Sequence, residues 1–404
     1  MLDRALEGVK VLDLSRILAG PWCTQNLADL GAIVLKIENP GRGDDTRQWG
    51  PPYFEAVEGE EKISSYFSCC NRGKQSRAVD FGKPAGADVI RELVRHTDVL
   101  VENFKAGSLA KYGLDYDTLR AINPRLVYLS ITGFGQTGPM ADKPGYDYVF
   151  QGMGGLMSYT GPADGEAGAG PLRTGVAVVD ISTGMYATSA VLAALFQRQR
   201  TGAGQYIDLA LLDVAVALNA NQGANYLATG KVPERSGNAH PNCAPYEVFR
   251  CADGYLILAI GNDGQFRRFC EVAGLPDLAL QERFATNPAR MMNLPALRAV
   301  LVGLFPMRTR STWTDSFDKV GVPWGPINNM QEVFEHPQVR HRRLVQVLKH
   351  PMLGDVSTVR NPMLAASSRP LAEALAPPLL DEYARSQPES LSLFLAIKNT
   401  QRDT

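Results

Sequence analysis

The first half of the chain alternates apolar, strand-like runs with helical stretches, and this alternation constrains the fold more than any other feature. The apolar runs cover residues 9–15, 33–38, 99–102 and 126–131. Such alternation is typical of βαβ units and a mainly parallel sheet. The sequence therefore predicts an α/β fold of the nucleotide-binding type, in which ligands bind beyond the carboxyl ends of the strands.

The pattern changes after residue 200. Asp253-Gly254, between the apolar runs Tyr246–Arg250 and Tyr255–Ile260, is a strong signal for a β-hairpin. After Pro326 the chain again reads as strands and turns. We predict a large domain in residues 1–200, a linker helix in 201–229, a small α+β domain in 230–328 and a return segment in 329–404 that completes the large domain.

Composition excludes several classes of protein. The chain has 404 residues, is 45% hydrophobic and carries a formal net charge of −1, so a basic nucleic-acid-binding surface is not expected. The apolar runs are short for a membrane span, and the N-terminal residues resemble neither a signal nor a transit peptide. We therefore expect a cytoplasmic protein with no nucleic-acid or membrane partner. The six cysteines show no C-x-x-C pair, so neither a disulfide framework nor a metal site is expected.

Asp180 is the candidate catalytic residue. It ends the apolar run Val176–Val179 and precedes the stretch Ile181–Gln199, whose small aliphatic residues predict a buried helix. A carboxylate delivered to such a place can act as a nucleophile. Aspartate is also a preferred helix N-cap, and this segment alone favours the cap. The two roles are compatible.

Other motifs are weaker. The first strand is followed by Ile17-Leu-Ala-Gly-Pro21 and not by G-x-G-x-x-G, which argues against a bound dinucleotide. The loop at 41–47 could hold a phosphate through Arg42 or Arg47, or it is a surface turn. The glycines at 152–155 would let the backbone approach a ligand, or they form a tight turn. His240 lies in a polar loop and is interpreted more readily as a loop hydrogen-bonding residue than as a ligand.

Many of these segments occur together, in order, in one known family. The matching segments are Leu6–Leu14, Ala19–Pro21, Leu30–Glu38, Gly43–Arg47, Val101–Phe104, Ile131–Gly135, Gly145–Asp147, Asp180–Gly184, Thr201–Gln205, Pro245–Tyr246 and Gly321–Pro326. On these motifs the chain resembles the class III CoA-transferase family (CaiB/BaiF). Asp44–Pro52 and Gly325–Asn329 most resemble the branch that passes CoA from succinyl-CoA to glutarate and other dicarboxylates.

The resemblance implies a Rossmann-like large domain, a smaller domain and a homodimer of two interlocked chains. Coenzyme A is then a substrate, carried as acyl-CoA, and no cofactor is bound permanently. Asp180 is implied as the nucleophile that forms an acyl-aspartyl anhydride and then an aspartyl-CoA thioester. We expect the helix N-terminus to keep this carboxylate ionised and the glycines at 152–155 to donate N–H groups to the oxyanions.

The resemblance also implies a set of binding residues. The implied CoA contacts are Ile17, Leu18, Ala19, Asn103, Phe104 and Lys111, with Tyr146 and Asp147 near the thioester. Arg42 and Arg47 are candidates for the CoA phosphates, because Asn39 stands where the family has an arginine. The substrate-binding candidates are Arg16, Arg173 and His240. The two arginines suit the distal carboxylate of a diacid, which a guanidinium binds through two hydrogen bonds.

Two other functions stay open. Racemases of 2-methylacyl-CoA belong to the same family and use a histidine in a G-H-D motif as one base. Here Tyr146 takes the place of that histidine, and a tyrosine is a poor base near neutral pH, which favours CoA transfer. A non-catalytic CoA-binding protein is the third interpretation, and it would tolerate the loss of Asp180.

Overall fold

The computed structural model describes residues 2–364 and 375–382. The strands in these residues are β1 (Lys10–Asp13), β2 (Ile33–Glu38), β3 (Tyr53–Glu55), β4 (Lys62–Ser64), β5 (Lys74–Ala78), β6 (Val99–Glu102), β7 (Val127–Thr132), β8 (Tyr206–Ala210), β9 (Tyr246–Cys251), β10 (Gly254–Ala259), β11 (Trp324–Pro326), β12 (Val345–His350) and β13 (Gly354–Val359). The chain is thus of mixed α/β class.

The α-helices of the same residues connect and cover these strands. They are α1 (Ala19–Asp29), α2 (Ser65–Asn71), α3 (Pro84–Val94), α4 (Tyr116–Ile122), α5 (Asp147–Met153), α6 (Val178–Thr201), α7 (Leu211–Ala217), α8 (Ala220–Thr229), α9 (Asp263–Ala273), α10 (Glu282–Ala285), α11 (Asn287–Met292), α12 (Leu294–Leu304), α13 (Arg310–Val320), α14 (Met330–Glu335) and α15 (Pro337–His341).

The predicted parallel sheet is confirmed. Six strands lie in the order β5-β2-β1-β6-β7-β8, and every pair is parallel. The chain runs outward from β1 through β2 to β5, and then outward on the other side from β6 through β7 to β8. The strand order therefore reverses between β1 and β6. In open α/β sheets such a switch point forms the crevice where ligands bind.

The strand bounds follow from the sequence where the strands are apolar. β2 and β6 begin and end at the predicted residues, because strands buried on both faces of a parallel sheet read as continuous apolar runs. β5 was not predicted, because Lys74-Gln-Ser-Arg-Ala78 reads as polar. The Lys74 ammonium is nevertheless buried, paired with Asp13 at 3.0 Å and with the Asn71 amide oxygen at 2.8 Å.

The chain divides into two compact units. The first contains residues 1–154, 174–218 and 334–404, and the second contains residues 155–173 and 219–333. Residues 155–173, predicted in the large domain, thus belong to the second unit. The predicted linker, 201–229, contains the sheet strand β8 and two separate helices, α7 and α8. The predicted return segment lies partly outside the described residues.

The second unit has its own core. β9 and β10 form the predicted antiparallel hairpin around Asp253-Gly254, and β11 pairs with the other edge of β10. Aromatic side chains fill the space between this sheet and its helices. They are Phe249, Phe266, Phe269, Phe284, Phe305, Trp313 and Phe317. Their packing explains why this unit is compact despite its small sheet.

Helix α6 is the core helix of the first unit. Its length and composition would also allow it to cross a membrane, and it is the one helix in residues 2–364 and 375–382 of which this is true. Half of its most apolar window is buried inside the protein, however, and it carries Asp180 and the buried Arg198. These features are those of a helix packed in a protein core.

Candidate active site

The loop that follows β1 lies at the switch point of the sheet. Its neighbour is the loop after β6, and the two are joined by a reciprocal pair of hydrogen bonds. The N–H of Arg16 donates to Asn103 Oδ1 at 2.8 Å, and Asn103 Nδ2 donates to the carbonyl oxygen of Arg16 at 2.7 Å. The structure thus brings together two segments predicted to contact CoA, residues 17–19 and 103–104.

Ile17 has an unusual backbone conformation in this loop. Its φ is +70°, which lies in the left-handed region that β-branched residues rarely adopt. Such a residue costs about 1–3 kcal/mol and persists where its surroundings hold it, commonly at functional sites. Helix α1 begins two residues later, at Ala19, with Leu18 as its N-cap.

Close packing brings the first turn of α1 against α6. A Cβ placed on Gly184 would lie 2.7 Å from the carbonyl oxygen of Ala19 and 2.9 Å from the Cβ of Trp22. Only a residue without a side chain fits this approach. Gly184 is one turn beyond Asp180 on α6, so the loop 16–19 and the candidate nucleophile belong to one site.

Asp180 lies in the first turn of α6, but it is not the N-cap. The helix begins at Val178, and the N-cap is Ala177, which makes no side-chain capping bond. Asp147 takes over the capping. Its Oδ1 accepts the N–H of Val179 at 2.7 Å and the N–H of Asp180 at 3.1 Å. The interpretation of Asp180 as a cap is therefore wrong, because a carboxylate distant in sequence occupies the helix end.

Asp147 is itself held in place. Gln151, one turn further along α5, donates from Nε2 to Asp147 Oδ2 at 2.6 Å. The Gln151 amide oxygen accepts the backbone N–H of Thr174 at 2.9 Å. Asp147 and Gln151 are both buried. The pair therefore fixes the strand-like segment leading into α6 as well as the helix end.

The electrostatics of Asp180 differ from the expectation. Burial, and then the charge of Asp147, raises the pKa of Asp180 to about 7. We expected the helix N-terminus to keep this carboxylate ionised. The expectation is wrong, because the dipole end and its N–H groups serve Asp147 and because the second carboxylate opposes ionisation of the first. Asp180 is thus divided between two protonation states near neutral pH.

Tyr66 on α2 is a further residue of this site, and no sequence pattern indicated its role. Burial raises the pKa of Tyr66, and the charge of Asp180 raises it further, which shows that the phenol lies near the carboxylate. The Tyr66 ring also packs edge-on against Trp49, at 5.0 Å between centroids. Its hydroxyl keeps its proton and can donate it as a hydrogen bond.

A cavity of about 230 Å³ opens beyond the carboxyl ends of β1, β2 and β6. It is lined by residues of the first unit, among them Arg16, Lys36, Asn39, Asp80, Phe104 and Tyr112. Aromatic walls and a few charged groups are typical of sites for small organic ligands. Phe104, one of the implied CoA contacts, thus lines this cavity together with Asn39. Lys111, beside Tyr112, is exposed, with its Nζ 4.7 Å from the Tyr112 ring centre.

The predicted role of Arg47 is corrected by the structure. Its Nε and Nη2 donate to the two oxygens of Glu38 at 2.7 and 2.6 Å, and its Nη1 donates to the carbonyl oxygen of Pro378 at 3.0 Å. The guanidinium also lies 3.7 Å from the ring centre of Phe67. Arg47 is thus committed to internal contacts and cannot serve the CoA phosphates. Arg42 is exposed and lies 3.6 Å from Asp45, so it stays a candidate.

The glycine-rich stretch at 152–155 also has a structural explanation. Gly152 lies within α5, and the N–H of Gly154 donates to the carbonyl oxygen of Phe150 at 2.8 Å. A Cβ on Gly154 would lie 2.4 Å from the Cβ of Ala215, so this glycine permits α5 and α7 to touch. The expectation that this stretch donates to an oxyanion is wrong for Gly154, whose amide is used inside the helix.

The remaining candidates lie in different surroundings. Tyr146 is 65% exposed at the N-cap of α5, and Arg16 is exposed, 3.1 Å from Asp45 and stacked over Phe104. Arg173 and His240 belong to the second unit, where Arg173 is exposed. The His240 ring stacks on Tyr246, and its Nδ1 accepts the N–H of Asn242 at 3.0 Å. His240 therefore forms a hydrogen bond within its own loop, as the sequence analysis favoured.

Within residues 2–364 and 375–382, no cluster of three histidine, cysteine or acidic side chains could hold a metal ion.

The model of the family described as CoA-transferase family III matches residues 6–383. The chain belongs to this family. It is 50% identical to a succinate–glutarate CoA-transferase of Agrobacterium fabrum, over 94% of this chain and 93% of that one. It is 44% identical to the human succinyl-CoA:glutarate CoA-transferase, over 94% of this chain and 84% of that protein. Among solved structures, a CaiB/BaiF family protein of Brucella suis is 48% identical, with a TM-score of 0.81 and coverage of 94% and 97%.

Proposed function

We propose that this family III CoA-transferase passes CoA from an acyl-CoA donor, succinyl-CoA, to a dicarboxylic acid such as glutarate, with Asp180 as the nucleophile. The single observation that carries the role of Asp180 is its placement: a buried carboxylate at the switch-point site, held next to a second buried carboxylate. The relatives named above for transfer between succinate and glutarate support the choice of substrates.

The first half of the proposed reaction loads the enzyme. The ionised Asp180 attacks the carbonyl carbon of the donor thioester, and the tetrahedral oxyanion collapses by expelling CoA thiolate. The product is an anhydride between Asp180 and the donor acid. The thiolate then attacks the Asp180 carbonyl carbon of that anhydride and releases the donor acid as a carboxylate. The enzyme now carries CoA as an aspartyl thioester.

The second half repeats these steps in reverse order. The acceptor carboxylate attacks the aspartyl thioester and expels CoA thiolate, which leaves an anhydride between Asp180 and the acceptor acid. The thiolate attacks the acceptor carbonyl, and the new acyl-CoA leaves with Asp180 again ionised. Every step exchanges one activated acyl bond for another, so no ATP and no net proton are needed.

The surroundings of Asp180 suit this chemistry. Burial and Asp147 make the free carboxylate unstable relative to water, and acylation removes its charge, which relieves the same penalty in the intermediates. The oxyanions need N–H or O–H donors. We assign this role to the first-turn amides of α1, which pack against α6 at Gly184, and to the hydroxyl of Tyr66. The cavity lined by Arg16, Phe104 and Tyr112 is assigned to CoA, with Lys111 and Arg42 as candidate cations for its phosphates.

We assign the selectivity for dicarboxylic acceptor acids to cationic side chains. The second carboxylate of a diacid needs a partner charge, and Arg173 and Arg16 are the two candidates from the sequence. Arg16 already contacts Asp45 across an exposed ion pair, which a substrate carboxylate would have to displace. Arg173 stands a few residues upstream of Asp180 in the sequence and is the candidate tested below.

We also propose the homodimer that the family resemblance implies. The outer face of α6 carries Met185, Tyr186 and Phe196, which are 58%, 50% and 63% exposed in the single chain. Large exposed apolar side chains on a core helix favour a surface that another protein covers. Light scattering coupled to size-exclusion chromatography would give twice the chain mass if the proposal holds, and the mass of one chain would overturn it.

The direct test of function is a transfer assay with radiolabelled glutarate and unlabelled succinyl-CoA. We expect label to enter glutaryl-CoA with wild-type enzyme and not with Asp180→Ala. The matched control is Asp29→Asn, which changes an aspartate paired with Arg72 in the same unit. Persistent transfer by Asp180→Ala would contradict the proposal. Deuterium wash-in from D₂O at the α carbon of a 2-methylacyl-CoA, without CoA transfer, would instead identify a racemase.

A further inference from the structure

The loop between β1 and α1 is held by side chains at every backbone polar group from residue 15 to residue 17. The N–H of Ser15 donates to Asp13 Oδ1 at 2.9 Å, and its carbonyl oxygen accepts from Lys36 Nζ at 2.7 Å. The side-chain amide of Asn103 forms hydrogen bonds with both backbone polar groups of Arg16, as described above. The carbonyl oxygen of Ile17 accepts a weak bond from Cys70 Sγ at 3.6 Å.

The remaining group is the N–H of Ile17, which donates to Asp44 Oδ1 at 3.2 Å. This bond acts on the one loop residue whose backbone is left-handed. Without an acceptor in this place, an isoleucine would relax toward the ordinary region of φ, because its Cβ crowds the backbone at positive φ. Asp44 therefore lies where it can hold Ile17 in its strained conformation.

Asp44 is firmly placed and stays charged. It is buried, and Lys36 Nζ lies 3.0 Å from its Oδ2 at the end of a side chain that is also fully buried. Burial would raise the pKa of Asp44, but the Lys36 ammonium and the hydrogen bonds from Thr46 together hold that pKa below its usual value. The carboxylate is thus ionised at neutral pH, which makes it a strong acceptor.

A second chain of contacts supports Asp44 from its backbone. The N–H of Asp44 donates to Glu38 Oε2 at 2.9 Å, and Glu38 is the partner of the Arg47 guanidinium. Ser76 on β5 donates to the other Glu38 oxygen at 2.5 Å. The motif Gly43-Asp-Asp-Thr-Arg47 is thereby explained as support for the loop after β1, instead of as a phosphate site.

We propose that Asp44, with Lys36 as its counter-ion, is a positioning residue that holds Ile17 in the left-handed conformation and so aims the first turn of α1 at the thioester beside Asp180. This role rests on the proposed function, since the aimed amides serve the oxyanions of CoA transfer. Asp44 acts through the backbone of Ile17 and touches no reacting atom. Its loss should therefore slow acylation of Asp180 by a larger factor than it weakens the binding of CoA.

The test is a double-mutant comparison at residues 44 and 17, read by the rate constant for adduct formation at Asp180 from succinyl-CoA. Asp44→Ala should lower this rate constant at least about tenfold, because the strain is no longer balanced. Asp44→Asn keeps an oxygen for the Ile17 N–H and should restore most of the loss. Titration with CoA should show a smaller relative change in Kd than in this rate constant.

Substitutions of Ile17 distinguish a positioning role of Asp44 from a general loss of structure. Glycine adopts positive φ without strain, whereas alanine keeps a Cβ. Asp44→Ala should therefore lower the rate constant for adduct formation only slightly in an Ile17→Gly background. In an Ile17→Ala background it should lower this rate constant about as much as it does in the wild-type protein. If Asp44→Ala does not fold, the same comparison is made with Lys36→Met, which removes the counter-ion of Asp44. Asp29→Asn should lower thermal stability but leave the rate constant unchanged.

Equal losses in the two backgrounds, with an adduct still formed by wild-type enzyme, would overturn the positioning role alone. A wild-type enzyme that forms no adduct at Asp180 would overturn the proposed function, and the positioning role with it. A loss restricted to the alanine background, together with rescue by Asp44→Asn, is the result expected.

Discussion

Asp147 caps the helix that carries Asp180: its Oδ1 accepts the N–H of Asp180 at 3.1 Å and that of Val179 at 2.7 Å. The helix end thus holds one carboxylate by hydrogen bonds and presents a second carboxylate to the site. This arrangement gives the second carboxylate a pKa near neutrality, which has consequences for both activity and stability.

The pH dependence of activity should report Asp180. The nucleophile must be ionised, so kcat/KM should rise with pH through a midpoint near 7, the pKa that burial and Asp147 give Asp180 in the free enzyme. Asp147→Asn removes the neighbouring charge but keeps an oxygen for the helix N–H groups, and the midpoint should move to lower pH. The control Asp29→Asn should keep the wild-type midpoint, and an unshifted midpoint in Asp147→Asn would contradict the account.

The free energy of unfolding should fall as pH rises, whereas activity should increase. The folded-state pKa of Asp180 is raised above its ordinary value of 3.8, so its protonated form favours folding below pH 4 and this contribution is lost as pH rises toward 7. Asp180→Asn cannot ionise and should gain stability relative to wild type between about pH 4 and 7, with a constant gain above. At about 1.4 kcal/mol per pKa unit the gain amounts to a few kcal/mol. Thermal unfolding at pH 5 and pH 8 measures it; an equal difference at both would count against the raised pKa.

Gly184 should tolerate no side chain. Gly184→Ala places a Cβ 2.7 Å from the carbonyl oxygen of Ala19, which forces α1 and α6 apart at the active site. We expect a loss of about 1–3 kcal/mol in unfolding free energy and a fall in kcat/KM. Gly303→Ala is the matched control, because Gly303 also lies in a helix and has no atom within 4 Å of the added Cβ. Similar behaviour of the two variants in unfolding and kinetic assays would rule out the close approach.

The distal carboxylate of the acceptor should depend on Arg173. Arg173→Ala should raise KM for glutarate by about tenfold or more, as expected for the loss of a charge-assisted pair, and should change KM for a monocarboxylate much less. Arg267→Ala removes another exposed arginine of the second unit and should leave both constants unchanged. Equal changes in the two KM values for Arg173→Ala would assign the distal carboxylate elsewhere.

The sequence was informative where local pattern decides the structure. β2 and β6 were predicted correctly because most of their residues are apolar, and the hairpin of β9 and β10 follows from its Asp-Gly turn. β5 was missed because its lysine is buried through partners on β1 and α2, which no local pattern shows. The predicted linker helix in 201–229 contains two helices, α7 and α8, with neither glycine nor proline at the break between them.

The same limit applies to the site. Asp180 became a candidate because it stands at the end of an apolar run before a small-residue helix, and its proposed role as the nucleophile comes from the family resemblance. Its pKa was misjudged because the capping carboxylate comes from Asp147, on another helix. Arg47 was misassigned because a loop arginine reads alike whether it faces a phosphate or a buried glutamate. Long-range pairs of charges decide these roles, and they are not encoded in spacing.

The account depends on Asp180 becoming covalently acylated. The most direct measurement is mass spectrometry of the enzyme after incubation with succinyl-CoA, without an acceptor, and trapping with hydroxylamine, which converts an activated aspartyl group to a hydroxamate. We predict the hydroxamate at Asp180 and at no other acidic residue, with none in Asp180→Ala. An unmodified Asp180 peptide, from enzyme that still transfers CoA under the same conditions, would contradict the account.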